Sequence, residues 1–281
     1  MSKHTVKIFH TAPVAFMQVL EQHQDFLFIE AHAALENKKY ADYLVTHKTL
    51  KPNVYVIMDN SAYLLGGPMS EKDFMRAYEY FIPDCIIALD HPYSRKKTLD
   101  ATESFVARYK KQIDAKIMAV PQGETYADYI SCFWRLCENP DVDVIGVNMF
   151  MDWEHPDMSK LEKTERICRY RNMILWNAHD IVRMATENKR LPKSLHLLGI
   201  TSGRELTFIR DNNLFTVKSC DSSSAFIHGY YGVKYGPKGL KAKDWDHKLD
   251  FSIKEVTDEQ RKNILHNIKI LNRLRGANVT L

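Results

Sequence analysis

No uninterrupted apolar run in this chain approaches the ~18 residues that a membrane span needs, and the opening stretch MSKHTVKIFH lacks the apolar core of a secretory signal. Cysteine is sparse. The five thiols, Cys85, Cys132, Cys137, Cys168 and Cys220, are an odd number without framework spacing. Cys132 and Cys137 are too far apart for a C-x-x-C pair, and no second Cys or His pair follows to complete a tetrahedral set. Together these absences argue against a disulfide scaffold and a structural zinc, and predict reduced thiols in an intracellular, cytoplasmic protein without membrane contact. There is no His-x-x-His, no hairpin signal between apolar runs, and no internal repeat or low-complexity segment. Charge of one sign is also lacking: 39 Lys and Arg against 35 Asp and Glu leave a net +4, which permits a polyanionic partner without demanding one.

What is present suits a large core. The 281 residues are 45% hydrophobic and 26% charged, enough for one domain spanning 1–281. Eight short apolar runs can be marked: Val6–His10, Phe26–Glu30, Val54–Asp59, Cys85–Asp90, Lys116–Val120, Val144–Asn148, Leu195–Ile200 and Phe215–Cys220. Segments of helical period separate most of them. Ser70 with Asp73 opens one, followed by Phe74, Ala77, Tyr78 and Phe81 on one face. Thr125 opens another, with Tyr129, Ile130, Phe133, Trp134 and Cys137 expected inward, and Ser202 precedes a third carrying Leu206 and Ile209. The stretch HTAPVAFMQVLEQH makes only a poor first helix. Strands alternating with helices imply parallel strands and right-handed crossovers. Eight of them predict an α/β fold, a (β/α)8 TIM barrel.

Two connections are unusual. Residues 157–190 are long and arginine-rich (Arg166, Arg169, Arg171, Arg183), with Ile167, Ile174, Trp176 and Ile181 available for packing. They read as a helical insertion after the sixth strand, either a basic surface for a phosphate backbone or a solvated helix pair. Residues 229–281 form a basic aromatic loop and a C-terminal helix. In the loop, GYYGVKYGPKGLKAKDWDHK interleaves aromatics with Lys234, Lys238, Lys241 and Lys243, a pattern suited to stacking on bases and neutralising phosphates, although a surface loop would look similar. The final helix opens on a Thr257–Gln260 capping box, carries Ile264, Ile268 and Leu271 on one stripe, and stops at Gly276.

A barrel gathers its chemistry at the C-terminal ends of its strands. There the third run ends in Asp59, the fourth in Asp90, the fifth in Pro121-Gln122-Gly123 and the sixth in Gly146-Val147-Asn148. The seventh ends in Leu198-Gly199, and the eighth in Cys220-Asp221 before Ser222, Ser223 and Ser224, which either shape a sugar-phosphate pocket or pack the rim. A lone acid after a strand commonly caps a loop. Three acids from three strands, with no Lys or Arg at the strand ends to pair them, are costly to bury and point to function. Carboxylates and water would suffice for magnesium, but no metal or other cofactor is required. One carboxylate can attack an anomeric carbon, a second can move protons, and a third with Gln122 can read the donors of a planar ligand such as guanine. His10, His32 and His91 near strand ends read as hydrogen-bonded walls.

In order and approximate spacing from about residue 54 to 224, these segments resemble the guanine transglycosylase superfamily. MDNSAYLLGG holds the place of that family's DSGGFQ segment, ALDHP of its F-D-E/C, VPQGE of V-Q-G-G, VIGVN of A-x-G-G, LLGIT of Y-L-M-G-V-G and SCDSSS of M-F-D-C. The resemblance implies Asp221 as nucleophile and Asp59 as general acid and base. It implies Asp90 and Gln122 as base readers, Tyr63 and Leu198 stacking on the base, and Gly146 and Gly199 beside it. Ser61-Ala62 replace the family's glycine pair, Asn148 stands in place of a glycine, and the Cys-x-Cys-x-x-Cys plus His zinc site of the tRNA enzymes is absent. The chain therefore looks closer to compact phage-type enzymes that insert 7-deazaguanines, such as the 7-cyano base, into DNA in the cytoplasm of a bacterial or phage-infected host. A tRNA substrate, a hydrolytic glycosidase and a non-catalytic nucleic-acid-binding barrel remain as alternatives, and the oligomeric state stays open.

Overall fold

In a computed structural model, residues 5–20, 26–149, 153, 158–187 and 193–276 are described. Eight strands, β1 (Lys7–His10), β2 (Phe26–Glu30), β3 (Tyr55–Asp59), β4 (Cys85–Ile87), β5 (Lys116–Ala119), β6 (Val144–Val147), β7 (Ser194–Leu197) and β8 (Val217–Ser222), all pair in parallel in the order β1-β8-β7-β6-β5-β4-β3-β2. With β1 packed beside β2, the sheet is a nearly closed (β/α)8 barrel, as the run count predicts. Each predicted run overlaps a strand; the fourth and seventh strands stop three residues before their runs do, and the eighth lies two residues further on than expected.

The helices are α1 (Val14–Leu20), α2 (Ala31–Glu36), α3 (Lys38–Leu50), α4 (Ala62–Leu65), α5 (Glu71–Phe81), α6 (Arg95–Tyr109), α7 (Tyr126–Glu138), α8 (Lys163–Glu187), α9 (Gly203–Asp211), α10 (Ser224–Tyr230) and α11 (Asp258–Leu274). Their starts are written in the sequence. The Ser70 and Thr125 hydroxyls accept the Asp73 and Asp128 amides, and Ser202 and Thr257 form capping boxes with Glu205 and Gln260. On α7 the buried residues are Tyr129, Cys132, Phe133 and Leu136; Trp134, expected inward, is exposed, because the helix's true inner stripe is rotated toward Cys132 and Leu136.

The connection after β6 is one helix of 25 residues rather than a pair, and residues 154–157 and 188–192 at its margins lie outside the described set. Ile167, Ile174 and Ile181 pack inward as expected, but Trp176 is exposed. Arg171 corrects the expectation of a basic surface: it is fully buried beneath the ends of β6 and β7. The 229–248 loop also divides. Tyr235 is buried in the core, while Lys234, Lys238 and Lys241 are exposed.

Two layers of core follow from the strand period of two. Ile8, Leu27, Ile29, Val56, Met58, Ile117 and Ile145 face the helices. Phe9, Phe28, Ile57, Cys85, Ile87, Met118, Val120 and Val144 fill the barrel's interior. All five cysteines are free thiols. Among the described residues no helix is long and apolar enough to cross a membrane.

Candidate active site

Alternation carries the inward parity to the barrel mouth. On β2 it passes from Phe28 to Glu30, on β3 from Ile57 to Asp59, and beyond β5 from Val120 to Gln122. β8 would break the rule, since Val217 faces the helices and strict alternation would send Asp221 after it. An irregularity intervenes: Leu195 pairs with Val217, but His196 pairs with Ser219, so one extra residue enters β8. The shift turns Ser219 and Asp221 inward. Thr11, Glu30, Asp59, Gln122, Asn148, Leu198 and Asp221 all line one cavity of about 900 Å³, its open mouth included. Asp90 joins them from the loop after β4.

Glu30, which its place in the sequence marks only as a strand terminus, stands opposite Asp59 in the β2–β3 register. Their carboxyls act on each other directly. Burial, then the charge of Asp221, pushes Glu30 up to about 7; burial, then the charge of Glu30, holds Asp59 well above the usual carboxylate range. Ser61 adds a third contact, its hydroxyl donating to Glu30 Oε2 at 3.3 Å and accepting the His32 amide at 3.4 Å. It does so from a left-handed backbone (φ 63°), a conformation that costs a non-glycine residue about 1 kcal/mol or more. Ser61 is thus tied to Glu30.

Asp90 is supported otherwise. Asn60 Nδ2 donates to its Oδ1 at 2.7 Å, and Gln122 Nε2 to its Oδ2 at 2.6 Å. Burial raises its pKa to about 6, against the pull of the two amides. Asn60 also donates to the Ala88 carbonyl and accepts from the Ala62 amide, and Gln122 Oε1 accepts from the Tyr93 amide. Gln122, expected as a base contact, therefore has one amide proton left for a ligand; its other bonds orient Asp90.

Asp221 is pinned at one oxygen. Oδ1 accepts the Gly199 amide at 3.0 Å and faces His196 Nε2 at 3.3 Å, while His196 Nδ1 meets the Ser219 hydroxyl at 2.7 Å. An imidazole protonated at Nε2 donates to Asp221 and accepts the Ser219 hydroxyl. Gly199 presents its amide from a left-handed backbone (φ 62°) that suits glycine. Beneath it Arg171 donates to the Gly199, Leu198 and Val147 carbonyls at 2.6, 2.9 and 3.3 Å and pairs with buried Glu205 at 3.3 Å.

A strap covers the mouth. Leu240 O accepts the Gly203 amide, the Asp244 amide donates to His228, Trp245 Nε1 donates to Thr164, and Phe251 lies against Tyr40. Between these anchors Lys243, His247, Lys248 and Leu249 enter the cavity lining. The Lys243 ammonium sits 5.7 Å from the Tyr63 ring centre and 5.2 Å from that of Trp245; burial, opposed by Asp221, lowers its pKa to about 8.

Of the residues singled out from sequence, Asp59, Asp90, Asp221, Gln122, Tyr63, Leu198, Gly199 and Lys243 meet at the cavity. Gly146 does not line it. A Cβ there would lie 3.0 Å from both Leu198 and Val120, so its absence lets those two walls close up. Lys234, Lys238 and Lys241 are outside the lining. Ser223 lines the cavity, whereas buried Ser222 and Ser224 bond within the rim. Glu30, Asn60, His196 and Arg171 are the additions. Among the described residues no three His, Cys, Asp or Glu side chains are grouped so that they could hold a metal ion. No protein-family model matches the chain, and no curated protein matches it.

Proposed function

We propose that the chain is a transglycosylase that exchanges guanine in a polynucleotide, DNA in the first instance, for a 7-deazaguanine such as the 7-cyano base. The observation that carries this reading is the meeting of Asp59, Asp90 and Asp221, from at or beyond the ends of three separate strands, in one cavity whose Tyr63 and Leu198 suit the faces of a flat heterocycle. The order of motifs shared with the guanine transglycosylase superfamily supports it.

In this reading a target guanine turned out of its strand enters the cavity. The Oδ2 atom of Asp221 attacks C1′ while Oδ1 stays bonded to Gly199 and His196. The C1′–N9 bond breaks, the electron pair leaves with the purine, and Asp59 supplies the proton that neutralises it. The incoming base gives its N9 proton back to Asp59 and attacks C1′, and the bond to Asp221 breaks. No electrons are gained or lost. Asp90, held by Asn60 and Gln122, accepts from the two adjacent N–H groups on the guanine edge, a site that rejects a base lacking them by roughly 10⁴-fold. Lys243, with exposed Lys234, Lys238 and Lys241, neutralises the backbone.

The test is incorporation of labelled guanine and 7-cyano-7-deazaguanine into guanine-containing DNA and, in parallel, into tRNA. Asp221→Asn is expected to lower exchange by at least ~10³-fold and to abolish the covalent adduct. Near-wild-type exchange in that variant sinks the assignment. Incorporation into tRNA alone moves the substrate from DNA to RNA. Asp59→Ala is expected to bind free base normally without turnover.

A further inference from the structure

Glu30 is the cavity carboxyl that this exchange leaves unused. It stands in register with Asp59, lines the same cavity, and is oriented by the Ser61 hydroxyl. Two carboxyls in register on neighbouring strands, lining one buried cavity, repel when both are ionised, so the pair favours holding one proton between them. We propose that Glu30 and Asp59 work as one proton-sharing acid, with Glu30 the positioning residue that keeps the shared proton on Asp59 until the purine departs.

The groups around the pair favour one proton. Asp59 on β3 and Asp221 on β8 act on Glu30, Asp90 and Asp221 act on Asp59, and Tyr40 of α3 is turned toward Glu30. His10 on β1 and His32 on α2 are the titratable groups at the ends of the other elements packed against β2, and Lys243 of the strap faces Asp221. Among the described residues no cation acts on the pair directly, and its burial and acidic neighbours hold it protonated near neutral pH. The proton passes to the leaving guanine as C1′–N9 breaks. The carboxylates then face each other as a dianion, whose mutual repulsion makes Asp59 a stronger base toward the N9 proton of the incoming base. That proton restores the pair.

The reaction belongs to the base-exchange reading; the proton-sharing pair does not need it. The experiment therefore has two readouts: the pH profile of exchange, and the infrared band of protonated carboxyls followed across pH in substrate-free protein, on an Asp90→Asn background that removes the third acid. In Glu30→Gln the amide donates to Asp59 and relieves it of a neighbouring charge. The alkaline limb and the midpoint at which the band disappears are both expected to fall by a pH unit or more, with at least ~10-fold less exchange at pH 8 and unchanged KM for free base. Glu30→Asp is expected to restore the wild-type limbs in part. Unmoved limbs, or an unmoved band midpoint, overturn the proposal. Wild-type protein that shows the shifted band yet exchanges no base would sink the base-exchange reading and leave the pair standing.

Discussion

The two halves of the barrel mouth bury acids alike and support them differently. At the ends of β2, β3 and β4, Glu30, Asp59 and Asp90 lie among one another, with a serine hydroxyl on Glu30 and two side-chain amides on Asp90, and burial pushes all three pKa values up. At the ends of β6, β7 and β8, Asp221 has the Gly199 amide, His196 and, through space, Lys243, while Arg171 ties the strand ends from below. One half is built to hold a proton and the other to hold a charge. The proposed exchange, which needs an acid and an anionic nucleophile in one cavity, would use both kinds of surroundings. The difference lies in the neighbours and not in the acids themselves.

The largest effect is expected on the charge-holding side. Arg171→Met removes three carbonyl contacts and takes the cation from the fully buried Glu205 carboxyl, at an expected cost of about 3–5 kcal/mol in urea unfolding. If the loss is below about 1 kcal/mol, the strand ends are held by packing alone and the contrast between the halves weakens.

The proton-holding side makes a pH signature. Glu30 rises to about 7 and Asp90 to about 6 in the folded chain, above their unfolded values, so the folded state binds more protons between about pH 4 and pH 7. Stability conferred by these groups is full at the acidic end of that window and is lost as pH rises through it, by roughly 3 kcal/mol at most for each. Lys243, lowered to about 8, acts in a separate window, adding stability as pH rises above 8. Unfolding at pH 5 and pH 8 is expected to show the decline, and Glu30→Gln to flatten it. An equal slope in the variant would remove Glu30 from the account.

The strands were legible because each is a short apolar run, and an apolar run buried on both faces needs no long-range information. Asp59, Asp90 and Asp221 were legible for the same reason: they end such runs. Glu30 ends one too, but its meaning depends on the register with Asp59, which no local pattern carries. His196 lies within a run, and its inward direction depends on the irregularity between β7 and β8. Arg171 misled because an arginine among polar helix residues ordinarily faces water, whereas here three carbonyls and Glu205 compensate its burial. Gln122 follows an apolar run and is legible as a strand-end residue, but its bonds to Asp90 and Tyr93 join segments far apart in sequence.

A smaller effect sharpens the comparison within the acidic half. Asn60→Ala takes one amide from Asp90 and leaves that carboxyl and the Ala88 carbonyl short of a donor, a loss of about 1–3 kcal/mol in urea unfolding. Asp90 should then hold its proton above its present pKa of about 6 and behave more like Glu30 and Asp59. Carboxyl titration by NMR reads this directly; an unchanged midpoint would mean that Gln122 alone sets the state of Asp90.

The smallest effect is expected where the strap brings a cation to the charge-holding side. Lys243→Met keeps an apolar stem between Tyr63 and Trp245 and removes only the ammonium, so stability should change by less than about 1 kcal/mol. Binding of a polyanion should weaken, and the slope of log affinity against log salt should become shallower by about one, as expected when a single phosphate is no longer neutralised. The same change in Lys238→Met, which is exposed and outside the cavity, separates binding at the mouth from binding along the loop. If Lys238→Met shifts the slope and Lys243→Met does not, the Lys243 charge serves Asp221 alone, and the polymer is held by the outer loop.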